Sequence, residues 1–445
     1  MSPDPDTATR GLVSRIYANL ARLLGGKAAS AVLGLGYMVI ATHALGPVDY
    51  GVLVLVHGFA MTVGGIVEFP GWHAIVRYGA QALAEDDHPR MIRLLRFAGL
   101  VEGAGGIASI LAAAILAPLI GPALGWSPTA IAFALPYSFA VLASIRATPA
   151  GYLQLLGRFD LLGLHNMVAP AVRLVGAGIA VYFHLGLKAF LVAWLIAALC
   201  EWVAMWVLGI IAMRRTLRDP VLLGSVRGAV AENPGLWRFM LAANADVTLT
   251  ELAARIAPLF VGWILGPAAA GLYAVAQRAT VVIQQPAQIM GQAAYAELAR
   301  LVAGGGSGAE LRTALLRCGA VAIAVAMPVL LILAFFGRAV AIALGGQAFA
   351  GAADLILLLA IARTAWLMAP PASSALTALG RPTLSVAANM AINLGLLPLL
   401  PLMMLSFGLA GAGWHAIIQG VGASALLLAI VIRQTRGPAP HAAVS

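Results

Sequence analysis

Charged side chains are scarce: Asp, Glu, Lys and Arg make up only 10% of the 445 residues, against 62% in the apolar set. A soluble domain is about a quarter charged, so no water-facing shell can be drawn around this chain. Its mean hydropathy of +0.95 makes lipid the solvent. Cysteine is nearly absent. Cys200 and Cys318 lie in apolar stretches, outside any CxxC or Cys/His cluster, which disfavours a disulfide framework and a zinc site. No metal motif, phosphate-binding glycine loop or catalytic triad occurs. No cofactor is therefore expected, and without a P-loop the energy must come from a proton or sodium gradient or from downhill flow of the substrate. Residues 1–22 are polar and lack the apolar core of a cleavable signal peptide, so the first apolar run is expected to remain as a helix. Twelve membrane helices at about 20 residues each would use roughly 240 to 300 residues. No room is left for a sizeable soluble catalytic domain, and the chain is not expected to be an enzyme.

What is present is a series of apolar runs. They predict spans at 24–44, 51–69, 97–117, 129–147, 163–183 and 188–212, then 239–264, 271–293, 316–336, 352–369, 384–405 and 409–432. The formal net charge of +10 follows this map. The N-terminal tail holds Arg10, Arg15, Arg22 and Lys27, and the loop after span two holds Arg77, Arg90, Arg93 and Arg96. Later even-numbered loops carry Arg158, then Arg214, Arg215, Arg218, Arg227 and Arg238, then Arg300, Arg312 and Arg317, then Arg381; the C-terminal tail has Arg433 and Arg436. The opposite turns carry only Lys188 and Arg338. Basic loops stay cytoplasmic, so both termini are expected inside, and most of the positive charge needs no nucleic acid to explain it.

The chain also repeats. LGPVDYG at 45 returns as LGPAAAG at 265, RLLRFAG (93–99) aligns with ALLRCGA (314–320), and LGRFDLLGLHNM (156–167) aligns with LGRPTLSVAANM (379–390), at separations of 220, 221 and 223 residues. The expected organisation is an N-terminal tail (1–22), a six-helix half (23–212), a basic linker (213–237), a second six-helix half (238–432) and a tail (433–445). Each half starts and ends on the same side, so the repeats are parallel. Two such halves with a site between them suit alternating access, although channels and scaffolds are duplicated too.

Particular residues carry a resemblance. ATHALGPVDYGVLVLV (41–56) and VEFPGWHAIVRYGAQ (67–81) resemble the first two spans of bacterial polysaccharide (O-antigen, Wzx-type) flippases of the multidrug/oligosaccharidyl-lipid/polysaccharide (MOP) exporter superfamily. The matching parts are Leu45, Gly46, Pro47, Tyr50 and Gly51, then Glu68 with Pro70 and Gly71, then Arg77 and Tyr78. The second LGP turn and the LGR loops at 156–158 and 379–381 are similar to the family as well. The resemblance implies an all-α, MATE-like fold of about twelve transmembrane helices in the bacterial inner membrane. It implies a flippase that turns undecaprenyl-pyrophosphate-linked oligosaccharide to the outer leaflet in lipopolysaccharide or other polysaccharide biosynthesis. Membrane lipids and polysaccharide polymerase or export proteins are the implied partners. Spans one, two, seven and eight would line the cavity.

Independently of family, a charge at mid-bilayer costs about 2.5 to 3.5 kcal/mol on insertion scales, so each is a candidate. In span seven Asn244, Thr248, Glu251 and Arg255 share one helical face. Glu251 and Arg255 can pair at i and i+4 as a structural bridge. Alternatively Arg255 attracts a pyrophosphate through its forked donors while Glu251 positions it or titrates. Asp246 lies nearer the basic end, as an entrance residue. Span eight aligns Gln277, Gln284 and Gln288, with Arg278, Gln285 and Gln292 on the adjoining face, either as interhelical glue or as a wet wall for sugar hydroxyls. In span two His57, Gly64 and Glu68 form a stripe ending in the Phe69–Pro70–Gly71 break, a hinge or a plain kink. Glu102, Arg173, Glu201 and Arg363 are the remaining charges. Arg173 and Arg363 are candidate phosphate or sugar contacts, and Glu201, with no partner visible nearby, is a candidate proton carrier. Arg90, Arg93 and Arg96 suit either topology anchors or an anionic-lipid entrance.

A drug or small-molecule exporter of the same superfamily would share this fold, but its pocket should be richer in aromatics and carboxylates. A membrane glycosyltransferase or O-antigen ligase would need a long loop bearing catalytic groups, which the short outer turns do not offer.

Overall fold

A computed structural model describes residues 5–67, 71–217, 224–284, 298, 300–301 and 307–435, with side chains described except at 5–24, 67 and 242–254. Among the described residues every regular element is helical, and eight segments are long and apolar enough to cross a membrane. The chain is a polytopic all-α membrane protein, and its elements follow the twelve-span, two-half order.

Glycine and proline set the bends. α1 (Pro5–Val67) carries spans one and two and turns at Gly46, where φ is 68°. α9 (Leu236–Leu265) and α10 (Pro267–Thr280), spans seven and eight, are divided in the same way by Gly266 at φ 85°. In both copies the glycine takes the left-handed conformation that a side chain would strain. The next residue is a proline, whose fixed φ and missing N–H suit a helix start. Three further pairs of left-handed residues keep the register: Gly125 with Gly346, Gly157 with Gly380, and His184 with Gly408. Their separations of 221, 223 and 224 residues continue the drift already visible between the sequence landmarks.

Between these turns lie α2 (Trp72–Ala84) and α3 (His88–Ile120), then α4 (Pro128–Ala132), α5 (Ala134–Tyr137) and α6 (Ala147–Leu155), and finally α7 (Phe159–Tyr182) and α8 (Leu187–Leu217). The fourth span is thus not the continuous helix expected over 129–147. It passes through a 3-10 turn at Ser138–Ser144 and restarts at Ala147. In the second half α11 (Gly308–Gly345) is followed by span ten, which breaks at the related place. There α12 (Ala353–Trp366) gives way to α13 (Ala369–Ala378). α14 (Pro382–Gly395), α15 (Leu399–Phe407) and α16 (Leu409–Gln434) complete the chain. The third span of each half starts from a side-chain cap. The Asp87 carboxylate accepts from the Arg90 N–H at 2.9 Å, and Ser307 forms a capping box with Glu310.

The chain folds as two compact units, Met1–Leu45 with Leu55–Arg255, and Gly46–Val54 with Ile256–Ser445. The first unit therefore takes in the expected linker and most of span seven, and the second takes the first LGP turn. Within the second unit the two LGP copies pack on each other. A Cβ on Gly51 would stand 1.7 Å from the Pro267 carbonyl oxygen, and one on Gly271 would stand 2.4 Å from that of Pro47. Each unit has an apolar core toward its arginine-rich end. Leu94, Leu95, Tyr152 and Leu153 are central in the first, and Leu311, Leu315, Leu376 and Leu427 in the second.

The expected linker is partly helix, since α8 runs to Leu217. Residues 232–239 are fastened to α2 and α3. Arg90 donates through Nε to Asn233 Oδ1 at 3.1 Å and pairs with Glu85. Arg93 pairs with Glu232 at 2.8 Å, the Tyr78 hydroxyl donates to the Pro234 carbonyl at 3.1 Å, and the Arg77 guanidinium lies 4.7 Å from the centre of the Phe239 ring. Arg90 and Arg93, which the sequence offers as topology anchors or as an anionic-lipid entrance, both make contacts to this segment.

Candidate functional site

Each unit places an arginine at membrane depth among neutral polar groups. In the first, Arg173 projects from the middle of α7. One terminal nitrogen, Nη2, donates to His57 Nε2 at 3.0 Å, and Nη1 reaches the Tyr37 hydroxyl at 3.4 Å. A guanidinium only donates. His57 Nε2 must therefore be the acceptor, which puts the ring hydrogen on Nδ1, where it donates to the Tyr137 hydroxyl at 3.0 Å. The guanidinium also sits 5.6 Å from the Tyr37 ring and 5.5 Å from the Trp194 ring, and those two rings meet edge to face. Aromatic faces stabilise a cation without neutralising it. Arg173 makes no ion pair among the described residues, and its Nε is buried with no hydrogen-bond partner.

Arg255 belongs to the same unit. Its Nη1 donates to the Met61 carbonyl of α1 at 2.7 Å, and the absence of a side chain at Gly65 leaves room for the guanidinium, which a Cβ there would approach to 3.1 Å. The side chains of its expected companions Asn244, Asp246, Thr248 and Glu251 lie outside the described residues, although the α9 backbone carries all four. Glu68 and Pro70 are likewise outside. Helix α1 ends at Val67 and α2 begins at Trp72, directly after Gly71.

In the second unit Arg363 on α12 donates to Gln284 Oε1 through Nη1 and lies 3.4 Å, through Nη2, from the Gln277 carbonyl of α10. Arg363 also has no acidic partner among the described residues. Gln277 and Arg278 are half-buried near the end of α10, whereas Gln288 lies outside the described residues. Two amide contacts lie farther along the unit: Asn389 with Ser373 at 3.3 Å, and Gln419 with Asn393 at 2.8 Å.

The carboxylates behave differently. Glu201 does have a partner: it pairs with Arg146, which stands at the break before α6, and its carbonyl faces His165 at 3.0 Å. Buried Glu102 accepts from the N–H groups of Ala147 and Thr148 at the start of α6, where a negative group complements the helix dipole. Together they join α3, α6, α7 and α8 at the interrupted fourth span. Tyr37, Tyr137, Trp194 and Arg146 are the site residues that local reading missed. Arg146, an ionisable group inside a predicted span, carried the same signal as Arg173, while Tyr37 is the only hydroxyl-bearing aromatic of span one and so had a weaker one.

Residues 101–354 match the family described as "Polysaccharide biosynthesis protein". The chain is 27% identical over 291 residues to the inner membrane protein YghQ of Escherichia coli (strain K12), covering 65% of this chain and 82% of that protein. Its fold is similar to the lipid II flippase MurJ in an inward closed conformation, with a TM-score of 0.69 at 13% identity, over 92% of this chain and 87% of MurJ. It is also similar to an inward-facing multidrug resistance MATE family transporter of the MOP superfamily, with a TM-score of 0.67 at 15% identity, over 93% and 94% of the two chains.

Proposed function

The chain belongs to the polysaccharide biosynthesis protein family, and from that premise we propose that it flips undecaprenyl-pyrophosphate-linked oligosaccharide across the bacterial inner membrane by alternating access. It is a MOP-superfamily membrane transporter, not an enzyme. The observation that carries the proposed reading is Arg173: a membrane-depth cation held by His57, the Tyr37 hydroxyl and the Tyr37 and Trp194 rings, with no acid beside it among the described residues and one buried donor unused. Such a group suits an anion that arrives and leaves. A carboxylate would quench it, and a drug cation would be repelled by it. A pyrophosphate accepts forked hydrogen bonds from guanidinium groups. Arg363 supplies the same chemistry in the second unit, and Arg255 a third cation. Amides such as Gln277 and Gln284, which donate and accept, suit sugar hydroxyls. The polyprenyl tail stays in lipid throughout.

Both termini are cytoplasmic in this proposal, which places the arginine-rich loops on the side where the substrate is loaded. Glu68, Pro70, Gly71, Asp246 and Glu251 are proposed for coupling or hinge roles, and the coupling ion is a proton or sodium. In the test, Arg173→Ala and Arg363→Ala are expected to abolish surface polysaccharide at normal protein level and membrane insertion. Arg173→Lys is expected to retain a fraction, since it keeps the charge and loses the fork. Wild-type polymer from both alanine variants would remove the arginines from the transport path.

A further inference from the structure

An apolar groove runs between helices α7 and α8 of the first unit. Helices α7 and α8 touch where a Cβ on Gly176 would meet the Ala193 methyl at 2.5 Å. Around that contact, small side chains leave a groove of about 780 Å³ that is almost wholly apolar. Val175, Ile179 and Leu185 border it and are 63%, 51% and 48% exposed. Among the residues that line it is Lys188, in the first turn of α8, exposed and without an ion pair among the described residues. Tyr182 and Phe183 are exposed where α7 ends, and exposed aromatics of this kind sit at headgroup level in membrane proteins.

We propose that this groove holds one acyl chain of an anionic phospholipid whose phosphate rests on Lys188. The groove supplies no polar group for a sugar. Its lone cation matches the single negative charge of a phosphodiester, whereas a pyrophosphate calls for more. A cationic ligand would meet Lys188 unfavourably. Arg173, on the same helix, faces Tyr37, His57 and Trp194 instead of this groove, so the lipid does not compete for the proposed transport residues.

The test is native mass spectrometry of the full-length protein extracted from vesicles of equal phosphatidylglycerol and phosphatidylethanolamine. One retained phosphatidylglycerol per chain is expected. Lys188→Gln should lower its excess over phosphatidylethanolamine about fivefold, the factor that one lysine contributes toward anionic lipid. Ile179→Trp and Gly186→Leu should displace the lipid whatever its headgroup. Gly186 has nothing within 4 Å of an added Cβ, so that variant fills the groove without a clash at its first atom. Val207→Trp, on an exposed part of α8 beyond the groove, should retain the lipid. Equal retention by Lys188→Gln, or by both groove-filling variants, would overturn the proposal. So would retention of a zwitterionic lipid or of a polyprenyl lipid in its place.

Discussion

Substituting Gly51 by alanine is a severe test of how the two LGP copies pack. The added methyl would stand 1.7 Å from the Pro267 carbonyl oxygen and 2.5 Å from its carbon, where ordinary contact lies at 3.4–4 Å. What it meets is backbone, so no rotamer change relieves the overlap and the segments must part by about 2 Å. Overpacking of this kind costs about 1 to 3 kcal/mol, and a rigid backbone contact belongs at the upper end of that range. At about 1 °C per kcal/mol for a chain of 445 residues, the midpoint of thermal unfolding in detergent should fall by about 2 to 3 °C. Gly271→Ala, which would bring a methyl to 2.4 Å from the Pro47 oxygen, should lower it less. Because one separation relieves both overlaps, the double variant should lose less than the sum of the two. Gly178→Ala is the control: it adds a methyl in open space on α7, where alanine is favoured over glycine, and should unfold no earlier than wild type. A Gly51→Ala protein as stable as wild type, or strictly additive losses, would refute the reciprocal packing.

Glu201→Gln should destabilise without altering coupling. Breaking a buried pair costs about 3 to 5 kcal/mol, but the Arg146 side chain is 37% exposed, which brings the expected loss to about 1 to 2 kcal/mol. Denaturation in detergent checks the loss, and a change in the response of transport to an imposed pH gradient would instead make Glu201 a proton carrier. Arg93→Ala or Glu232→Ala removes a half-exposed pair and should cost under about 1 kcal/mol. The clearer readout is faster proteolysis in the 224–235 segment, and unchanged cleavage would mean that this pair does not fasten the linker.

The repeat was legible because its landmarks are Gly-Pro and Leu-Gly-Arg turns, whose backbone demands are written in residue identity. Gly46, Gly157, Gly266 and Gly380 all prove left-handed. The broken fourth span was not legible: FALPYSFAVLAS reads as one apolar run, and Pro136 alone does not announce the 3-10 turn that follows. Arg173 and Arg363 announced themselves, since a charge in an apolar run is costly wherever it points. Their partners did not. Tyr37, His57 and Trp194 reach Arg173 from other helices, and hydropathy carries no record of such pairings. Glu201 looked solitary for the same reason, since Arg146 stands 55 residues away at the break before α6. Arg90 and Arg93 meet Asn233 and Glu232 from far along the chain, so anchor and entrance could not be separated by local reading.

The central claim is that the arginines serve an anionic, lipid-linked sugar. The most direct measurement is transfer of a fluorescent undecaprenyl-pyrophosphate oligosaccharide across proteoliposomes, scored by its accessibility to an impermeant quencher, beside uptake of a cationic dye. The account predicts protein-dependent transfer of the lipid-linked sugar that is lost in Arg173→Ala, with no dye uptake. Dye transport without movement of the lipid-linked sugar would contradict it.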